Sequence, residues 1–205
     1  RCLSDWSSDV CSSDLHGLLL PEDGDGAGFD PVLPGQTRRV RFTLRNRAGL
    51  YWMHAHAHGF TAEQVHAGLA ALLVVHDPED DALDAALQLA SANRLALALA
   101  DARVAGDTLL PYAPSPVDCL HGWFGNAMRV NGKVDATLQV APGWVRLQLL
   151  NGCNARGLLL QLESTAAAGN TPLAFELLGT DGGLLAAPVR LERVFLYPAE
   201  RVDIA

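Results

Sequence analysis

Three histidines at alternate positions, His54, His56 and His58, are the residues of this sequence whose type and spacing could do chemistry. On an extended strand the side chains at positions i and i+2 leave the same face, so the three imidazoles would project in one direction, with neighbouring Cα atoms about 7 Å apart. Such a row could reach two metal ions. Imidazole suits copper, zinc, nickel and iron, and the spacing alone selects none of them.

Packing alone is a poor explanation for three alternating histidines with no carboxylate among them. A single buried histidine is more often a satisfied core residue than a ligand, so we expect the isolated His66, His76 and His121 to be structural or surface residues. The row around His56 is therefore the candidate metal site.

The elements that position this row are predicted from hydrophobic periodicity. Val40, Phe42 and Leu44 alternate with polar residues, which is the period of a half-buried strand. Turn signals and apolar runs divide the residues that follow. The sequence predicts a strand over 40–44, an extended segment over 50–58, a helical turn over 62–66 and an apolar strand over 69–76, which together make half of a β-sandwich.

An acidic, alanine-rich stretch, residues 79–92, is the predicted linker to the rest of the chain, and Asp and Glu crowd its start, where a helix dipole favours them. Beyond it, short apolar runs are separated by Gly, Pro, Asn and Asp turns, which is typical of an all-β sandwich or barrel. The runs cover residues 94–101, 128–130, 137–140, 145–150, 157–162, 173–179 and 194–197.

The histidine row lies in a longer motif, WMHAHAHGFTAEQVHAGLAALLVVHDP, which is similar to the second histidine motif of multicopper oxidases. Upstream, His16-Gly17 resembles the end of the family's first motif, His-Trp-His-Gly, whose first histidine is missing here. Ala55 stands where many members have Pro, and Ala71 where Gly is usual, but neither change removes a ligand. The bacterial copper efflux oxidases and laccases are the branch that the sequence resembles.

Landmarks of the family's second cupredoxin domain follow in order, so the resemblance covers about residues 16–205. They are Gly122-Trp-Phe-Gly125, Asn131-Gly132, Pro142-Gly143-Trp144, Leu150-Asn-Gly-Cys-Asn-Ala-Arg156, Asp181-Gly-Gly-Leu-Leu185 and Pro198-Ala-Glu-Arg-Val-Asp203. The resemblance implies an all-β fold of tandem cupredoxin-like Greek-key sandwiches, the first of them incomplete. The expected division is 16–78 for the end of the first domain, 79–92 for the linker and 93–205 for the second domain.

The resemblance also implies roles for single residues. His16 and His54 match ligands of one type 3 copper, and His56 matches a ligand of the other, in the trinuclear cluster at which O2 is reduced to water. His58 matches a residue behind the ligands, where a hydrogen bond would fix a neighbouring imidazole. Asp25 aligns, by its distance from His16, with an acidic residue that helps to deliver protons, although a solvated turn carboxylate is the other interpretation.

In the family, a third domain carries the remaining cluster histidines and the type 1 copper site, a His-Cys-His motif, and no such motif occurs in the 205 residues. The resemblance therefore implies that the type 2/type 3 copper cluster is only partly encoded here and that the type 1 site is missing. The implied substrates are cuprous ion or a phenol together with O2, and the implied compartment is the periplasm. Two alternatives stay open: a copper-free cell-division scaffold of the same superfamily, and a two-domain copper nitrite reductase. The nitrite reductase is disfavoured because landmarks of the middle oxidase domain lie where its type 1 site would be needed.

Bulk properties exclude several other classes of function. The net charge of −8 provides no basic field for phosphate backbones, so we expect no nucleic-acid partner. No apolar run is long enough to cross a bilayer. Residues 1–15, RCLSDWSSDVCSSDL, have neither a helical nor a strand period, and we expect them to be a non-native, adaptor-like segment fused to an interior piece of a longer protein.

Overall fold

The elements before residue 78 form one small antiparallel sheet. The computed structural model describes residues 13–21, 32–164 and 171–205. Strands β1 (Ser13–His16), β2 (Gly49–Ala55) and β3 (Ala70–Val75) pair in the order β1-β2-β3, and helix α1 (Thr61–His66) connects β2 to β3. Residues 13–15 of the segment expected to be foreign thus belong to a strand of this sheet.

The alternating residues 40–44 do not form a strand, so that prediction is wrong. A strand needs a neighbouring strand to satisfy its N–H and C=O groups, and none of the described strands pairs with this segment. At its end the chain is held by a side chain instead: the Asn46 amide donates to the Gly17 carbonyl at 3.0 Å and accepts from the Leu19 N–H at 2.8 Å.

A short helix, α2 (Pro78–Ala86), lies where the linker was predicted, and a 3-10 helix (Ser91–Asn93) leads into the second unit. Asp77 caps α2 by accepting the Asp80 N–H at 2.9 Å, and Pro78 suits the first helical position because its missing N–H is not needed there. The other oxygen of Asp77 accepts the Ala48 N–H at 2.9 Å, which ties the helix to the start of β2.

The second unit contains two sheets that face each other, a two-stranded ribbon and a short helix. Its elements are β4 (Arg94–Ala102), β5 (Val104–Ala105), β6 (Thr108–Leu109), α3 (Pro116–His121), β7 (Ala127–Val130), β8 (Lys133–Val134), β9 (Arg146–Asn151), β10 (Leu158–Ser164), β11 (Thr171–Leu173), β12 (Phe175–Thr180), β13 (Gly183–Leu191), β14 (Arg193–Leu196) and β15 (Arg201–Ile204). The larger sheet has the order β13-β12-β15-β9-β4-β7-β8 and the smaller one the order β11-β10-β14.

The main core lies between these two sheets. Leu97, Leu149 and Ile204 come from the larger sheet and pack with Leu196 of the smaller one, so the unit is a β-sandwich. A second cluster joins the two units, since Leu50 and Trp52 of β2 pack against Leu150 of β9. The guanidinium of the buried Arg201 adds a hydrogen bond between the units by donating to the Leu50 carbonyl at 3.0 Å. These contacts fix β2, the strand that carries His54, against the second unit.

A buried charge cluster connects α2 to the larger sheet. The Arg146 side chain is fully buried, and its nitrogens lie 2.8 Å from Asp80, 2.5 Å from Asp84 and 2.6 Å from Asp203. Arg94 contacts the same Asp80 and Asp84 at 2.8 and 2.7 Å. Two guanidinium groups therefore bind three carboxylates that come from α2 and from β15.

Acid is expected to weaken this connection. Burial alone raises the pKa of Asp80, but the hydrogen bond from Arg94 and the charge of Arg146 outweigh it and hold that pKa below its ordinary value. A carboxyl whose pKa is lowered by folding stabilises the fold above its unfolded value, about 3.9, and loses that contribution as the pH falls through the folded value. In thermal melts, the difference in Tm between the parent and Asp80→Asn should be largest at neutral pH and shrink below about pH 4; a difference that is constant with pH would contradict this.

The described helices are all short, the longest being the nine residues of α2, and none of them has the length and apolar character that crossing a membrane requires.

Candidate metal centre

The pairing of β1 with β2 brings Asp14, His16 and His54 together. In this register Asp14 lies opposite His54, and His16 lies opposite Trp52. Side chains at alternate positions of a strand share a face, so Asp14 and His16 project from β1 on the side where Trp52 and His54 project from β2. The sheet thus assembles one group of polar side chains from two distant parts of the sequence.

The aromatic rings in this group are close to one another. The ring centroids of His16 and His54 are 5.7 Å apart, and those of His54 and His56 are also 5.7 Å apart. The Trp52 indole lies 4.2 Å from the His54 ring and 5.3 Å from the His16 ring. The three histidines predicted as copper ligands therefore lie side by side, with an indole packed behind two of them.

The hydrogen bonds of His54 orient its ring. His54 is buried, and its Nδ1 lies 3.0 Å from the carbonyl oxygen of Ala55, so Nδ1 carries the proton as the donor. The opposite nitrogen, Nε2, lies 3.2 Å from Oδ2 of Asp14. This is the orientation of many metal-binding histidines, in which one nitrogen donates to a carbonyl and the other is available to an ion.

Two further ring nitrogens are buried without a hydrogen-bond partner, Nδ1 of His16 and Nδ1 of His56. The nearest carboxylate oxygen to the His16 nitrogen is Oδ2 of Asp14 at 3.6 Å, which is beyond hydrogen-bond distance. A buried polar atom with no partner costs free energy, and such atoms in a native site call for an explanation such as an ion. The donor set and these unsatisfied nitrogens fit a site for copper or another borderline transition metal.

The carboxyl group of Asp14 is held in its charged form. The imidazole of His16, and after it that of His54, lowers the pKa of this carboxyl well below the ordinary range by polar contact and charge, and the partial burial of the group does not cancel this effect. The negative charge of this carboxylate, next to two imidazoles, favours the binding of a cation at this point.

The remaining predicted residues lie elsewhere. β2 ends at Ala55, so His56 follows the strand, and His58 lies in a turn where its side chain is exposed. The expectation that all three histidines point in one direction assumed a strand through His58, whereas β2 ends before His56. The role of His58 beside a ligand stays a prediction, and Asp25 lies outside the described residues.

The isolated histidines have structural or surface positions, as expected. His66 is buried, its Nε2 lies 3.0 Å from the Leu110 carbonyl, and its ring packs against Trp123. His76 pairs with Asp80, and His121 is exposed at the end of α3.

The cysteines also behave as isolated thiols where they are described. Cys153 is buried, and burial raises its pKa to about 12, so the thiol stays protonated and unreactive near neutral pH. Cys119 is exposed on α3 and forms no disulfide.

Sequence reasoning missed Asp14. It was excluded with residues 1–15 because their composition has no strand period, whereas its spacing of two from His16 could have placed both side chains on one face. In the family's first motif, as described above, the position two residues before the second histidine is the first histidine. A carboxylate therefore occupies the place of a missing imidazole.

Comparisons with known proteins give the relatives of this chain. The family model described as "Multicopper oxidase" matches residues 8–80. The multicopper oxidase mco of Staphylococcus aureus is 32% identical over 92% of this chain and 39% of its own length. The cell division protein FtsP of Xenorhabdus nematophila is 33% identical over 97% of this chain and 39% of its own length. The chain thus spans about two fifths of the length of these curated relatives.

Solved structures confirm the predicted all-β, cupredoxin-like fold. The McoA multicopper oxidase from the hyperthermophile Aquifex aeolicus superposes with a TM-score of 0.84 at 30% identity, over 96% of this chain and 42% of that one. The multicopper oxidase from Campylobacter jejuni, titled a metallo-oxidase, superposes with a TM-score of 0.80 at 31% identity, over 96% of this chain and 38% of that one. The family model over residues 8–80, the oxidase relatives and the fold thus all match this chain to multicopper oxidases.

Proposed function

We propose that this chain provides part of the copper site of an oxidase that couples one-electron oxidation of cuprous ion or a phenol to the reduction of O2 to water. In this proposal His16 and His54 bind one copper ion and His56 binds a second. The observation that supports it most directly is the clustering of the three rings, with neighbouring centroids 5.7 Å apart and two of their nitrogens buried without partners.

The chain's own residues prepare the site for such ions. Neutral imidazoles hold a copper ion without cancelling its charge, and the ion would supply the redox centre at which O2 accepts electrons. The Ala55 carbonyl fixes the His54 tautomer so that Nε2 faces the site, and the Trp52 ring packed 4.2 Å from His54 restricts the imidazole and keeps water from that side. Asp25, which follows His16 in the sequence, remains the proposed source of protons.

A second candidate function is a copper-free cell-division protein. It is favoured by the similarity to cell division protein FtsP, whose 33% identity equals or exceeds that of the oxidase relatives described above. Loss of the metal ligands would be expected of a scaffold, whereas His16, His54 and His56 are all present and adjacent in this chain. Both groups of relatives are consistent with export, and we propose a periplasmic location.

Copper binding by single histidine variants tests the proposed function. After removal of metal from the purified chain, Cu²⁺ affinity is measured by competition with a chromophoric chelator for the parent, His16→Ala, His54→Ala and His56→Ala. Since loss of residues that merely support a ligand typically weakens metal binding about 10- to 100-fold, loss of a ligand should weaken it by at least about tenfold.

His121→Ala is the matched control, because His121 is an exposed histidine at the end of α3 and not a residue of the proposed site. Its affinity should equal that of the parent. The copper-free alternative would be supported instead if the parent bound no Cu²⁺, or if all four variants bound it equally well.

A further inference from the structure

Asp14, His16 and His54 offer three donor atoms at one point. One nitrogen from each imidazole and one carboxylate oxygen all lie within 4.8 Å of one another. Oδ2 of Asp14 is 3.2 Å from Nε2 of His54 and 3.6 Å from Nδ1 of His16. His54 is buried and the other two side chains are half-buried, so the group is largely shielded from bulk water.

These spacings suit a bound transition metal. Nitrogen and oxygen ligands lie about 2.0 Å from a four-coordinate divalent ion, and two such ligands at the tetrahedral angle are then about 3.3 Å from each other. The two distances to the Asp14 oxygen, 3.2 and 3.6 Å, lie on either side of that value. The two imidazole nitrogens lie within 4.8 Å of each other, so the three atoms are close enough to approach one ion together.

The charges and lone pairs also favour a cation at this point. Nδ1 of His54 carries the proton that it donates to the Ala55 carbonyl, so a neutral His54 turns the lone pair of Nε2 toward the Asp14 carboxylate. A cation between this nitrogen and Oδ2 of Asp14, which are 3.2 Å apart, would contact both atoms and would be stabilised by the negative charge of the carboxylate. The buried Nδ1 of His16, which has no hydrogen-bond partner, lies beside the same oxygen and would be satisfied by the same ion.

We propose that Asp14 is a metal ligand, and that Asp14, His16 and His54 together hold a single divalent transition-metal ion through two nitrogens and one oxygen. This inference rests on the proposed function in one respect, because it shares His16 and His54 with the copper site. It adds an oxygen donor where the family's first motif has a histidine. A carboxylate is a harder ligand than imidazole and carries a negative charge, so the site should favour Cu²⁺ or Zn²⁺ over cuprous ion.

Asp14 lies in the segment that we expect to be foreign, and this makes one substitution especially informative. Asp14→His restores the order His-Leu-His-Gly of the family motif, with Leu15 in place of Trp. It replaces the oxygen ligand by a third nitrogen at the same position of β1. Asp14→Asn is the complementary change, because it keeps the shape of the side chain and removes its charge.

The experiment measures Cu²⁺ and Zn²⁺ binding to the metal-free full chain and its variants by chelator competition, together with the EPR spectrum of the Cu²⁺-loaded forms. The parent should bind one Cu²⁺ with superhyperfine coupling from two nitrogens at this site. Asp14→Asn should lower the affinity for both ions at least about tenfold. Asp14→His should recover Cu²⁺ affinity and show coupling from a third nitrogen.

Controls separate the outcomes. Asp107→Asn, at an exposed turn, should bind as the parent does, and circular dichroism establishes that Asp14→Asn keeps the β fold. If Asp14→Asn binds both ions with the parent's affinity and spectrum while His16→Ala and His54→Ala lose binding, this inference is wrong and the proposed copper site stands. If the parent and every variant fail to bind Cu²⁺, both proposals are overturned.

Discussion

Replacement of Arg146 by leucine is expected to lower the free energy of unfolding by about 3–5 kcal/mol. The guanidinium is fully buried and contacts Asp80, Asp84 and Asp203, and its Nε donates to Asp203 at 2.9 Å. Leucine would fill part of the space but would leave Asp80 and Asp84 with Arg94 as their guanidinium partner and would remove the guanidinium that pairs with Asp203. The cost arises mainly from these lost buried ion pairs.

Urea unfolding followed by circular dichroism measures this effect. Arg190→Leu is the matched control, because Arg190 is exposed and its contact with Glu176, at 3.5 Å, is a surface ion pair worth less than about 1 kcal/mol. Arg146→Lys should fall between the two, since an ammonium group keeps the charge but cannot contact all three carboxylates in the planar geometry of a guanidinium. Equal midpoints for Arg146→Leu and Arg190→Leu would show that the buried cluster contributes little.

Much of the fold could be predicted from local patterns. The apolar run over 69–76 became β3, and the run over 94–101 became β4, because continuous apolar segments between turn signals indicate buried strands. The acidic linker became helix α2, whose start is stabilised by the cap of Asp77 and by Pro78. In these cases local propensity and tertiary contacts favour the same structure.

Other elements depend on contacts between distant residues and were not predicted correctly. The alternation over 40–44 and the run over 137–140 form no described strand, since pattern alone does not supply a partner for the backbone. Conversely, β13 (Gly183–Leu191) and β15 (Arg201–Ile204) were not among the predicted runs. β15 is fully buried although it contains Arg201 and Asp203, because these charged side chains have partners in distant parts of the chain. Their charges made the segment look unlike a buried strand in the sequence.

The candidate site shows the same division. The residue types and the family motif indicated His16, His54 and His56, and the structure places these three rings next to one another. Periodicity could not reveal that β2 ends at Ala55 and leaves His58 in an exposed turn. Nor could it reveal the contact between Asp14 and His54, which depends on the register between β1 and β2.

The isolated chain, loaded with copper, is expected to show no copper-dependent oxidation of cuprous ion or of a phenol. Substrate electrons enter the enzymes that it resembles through a type 1 copper bound by a His-Cys-His motif, and no such motif occurs in the 205 residues. Cys119 cannot replace it, because Cys119 is exposed on α3 in the context Asp-Cys-Leu-His. With only part of the ligand set, the chain should also bind copper more weakly than a complete cluster would.

Oxygen consumption with an oxygen electrode tests this expectation, with the copper-loaded chain, a phenol as electron donor and a chelator to remove free copper. The double variant His16→Ala/His54→Ala measures the background from copper bound elsewhere. Turnover that exceeds this background, and that the double variant abolishes, would mean that the ions held by β1 and β2 can accept electrons directly from a substrate. Copper binding without turnover would instead show that binding of the ions and delivery of electrons to them are separate properties. The chain would then hold the residues that bind copper but not the route by which electrons reach it.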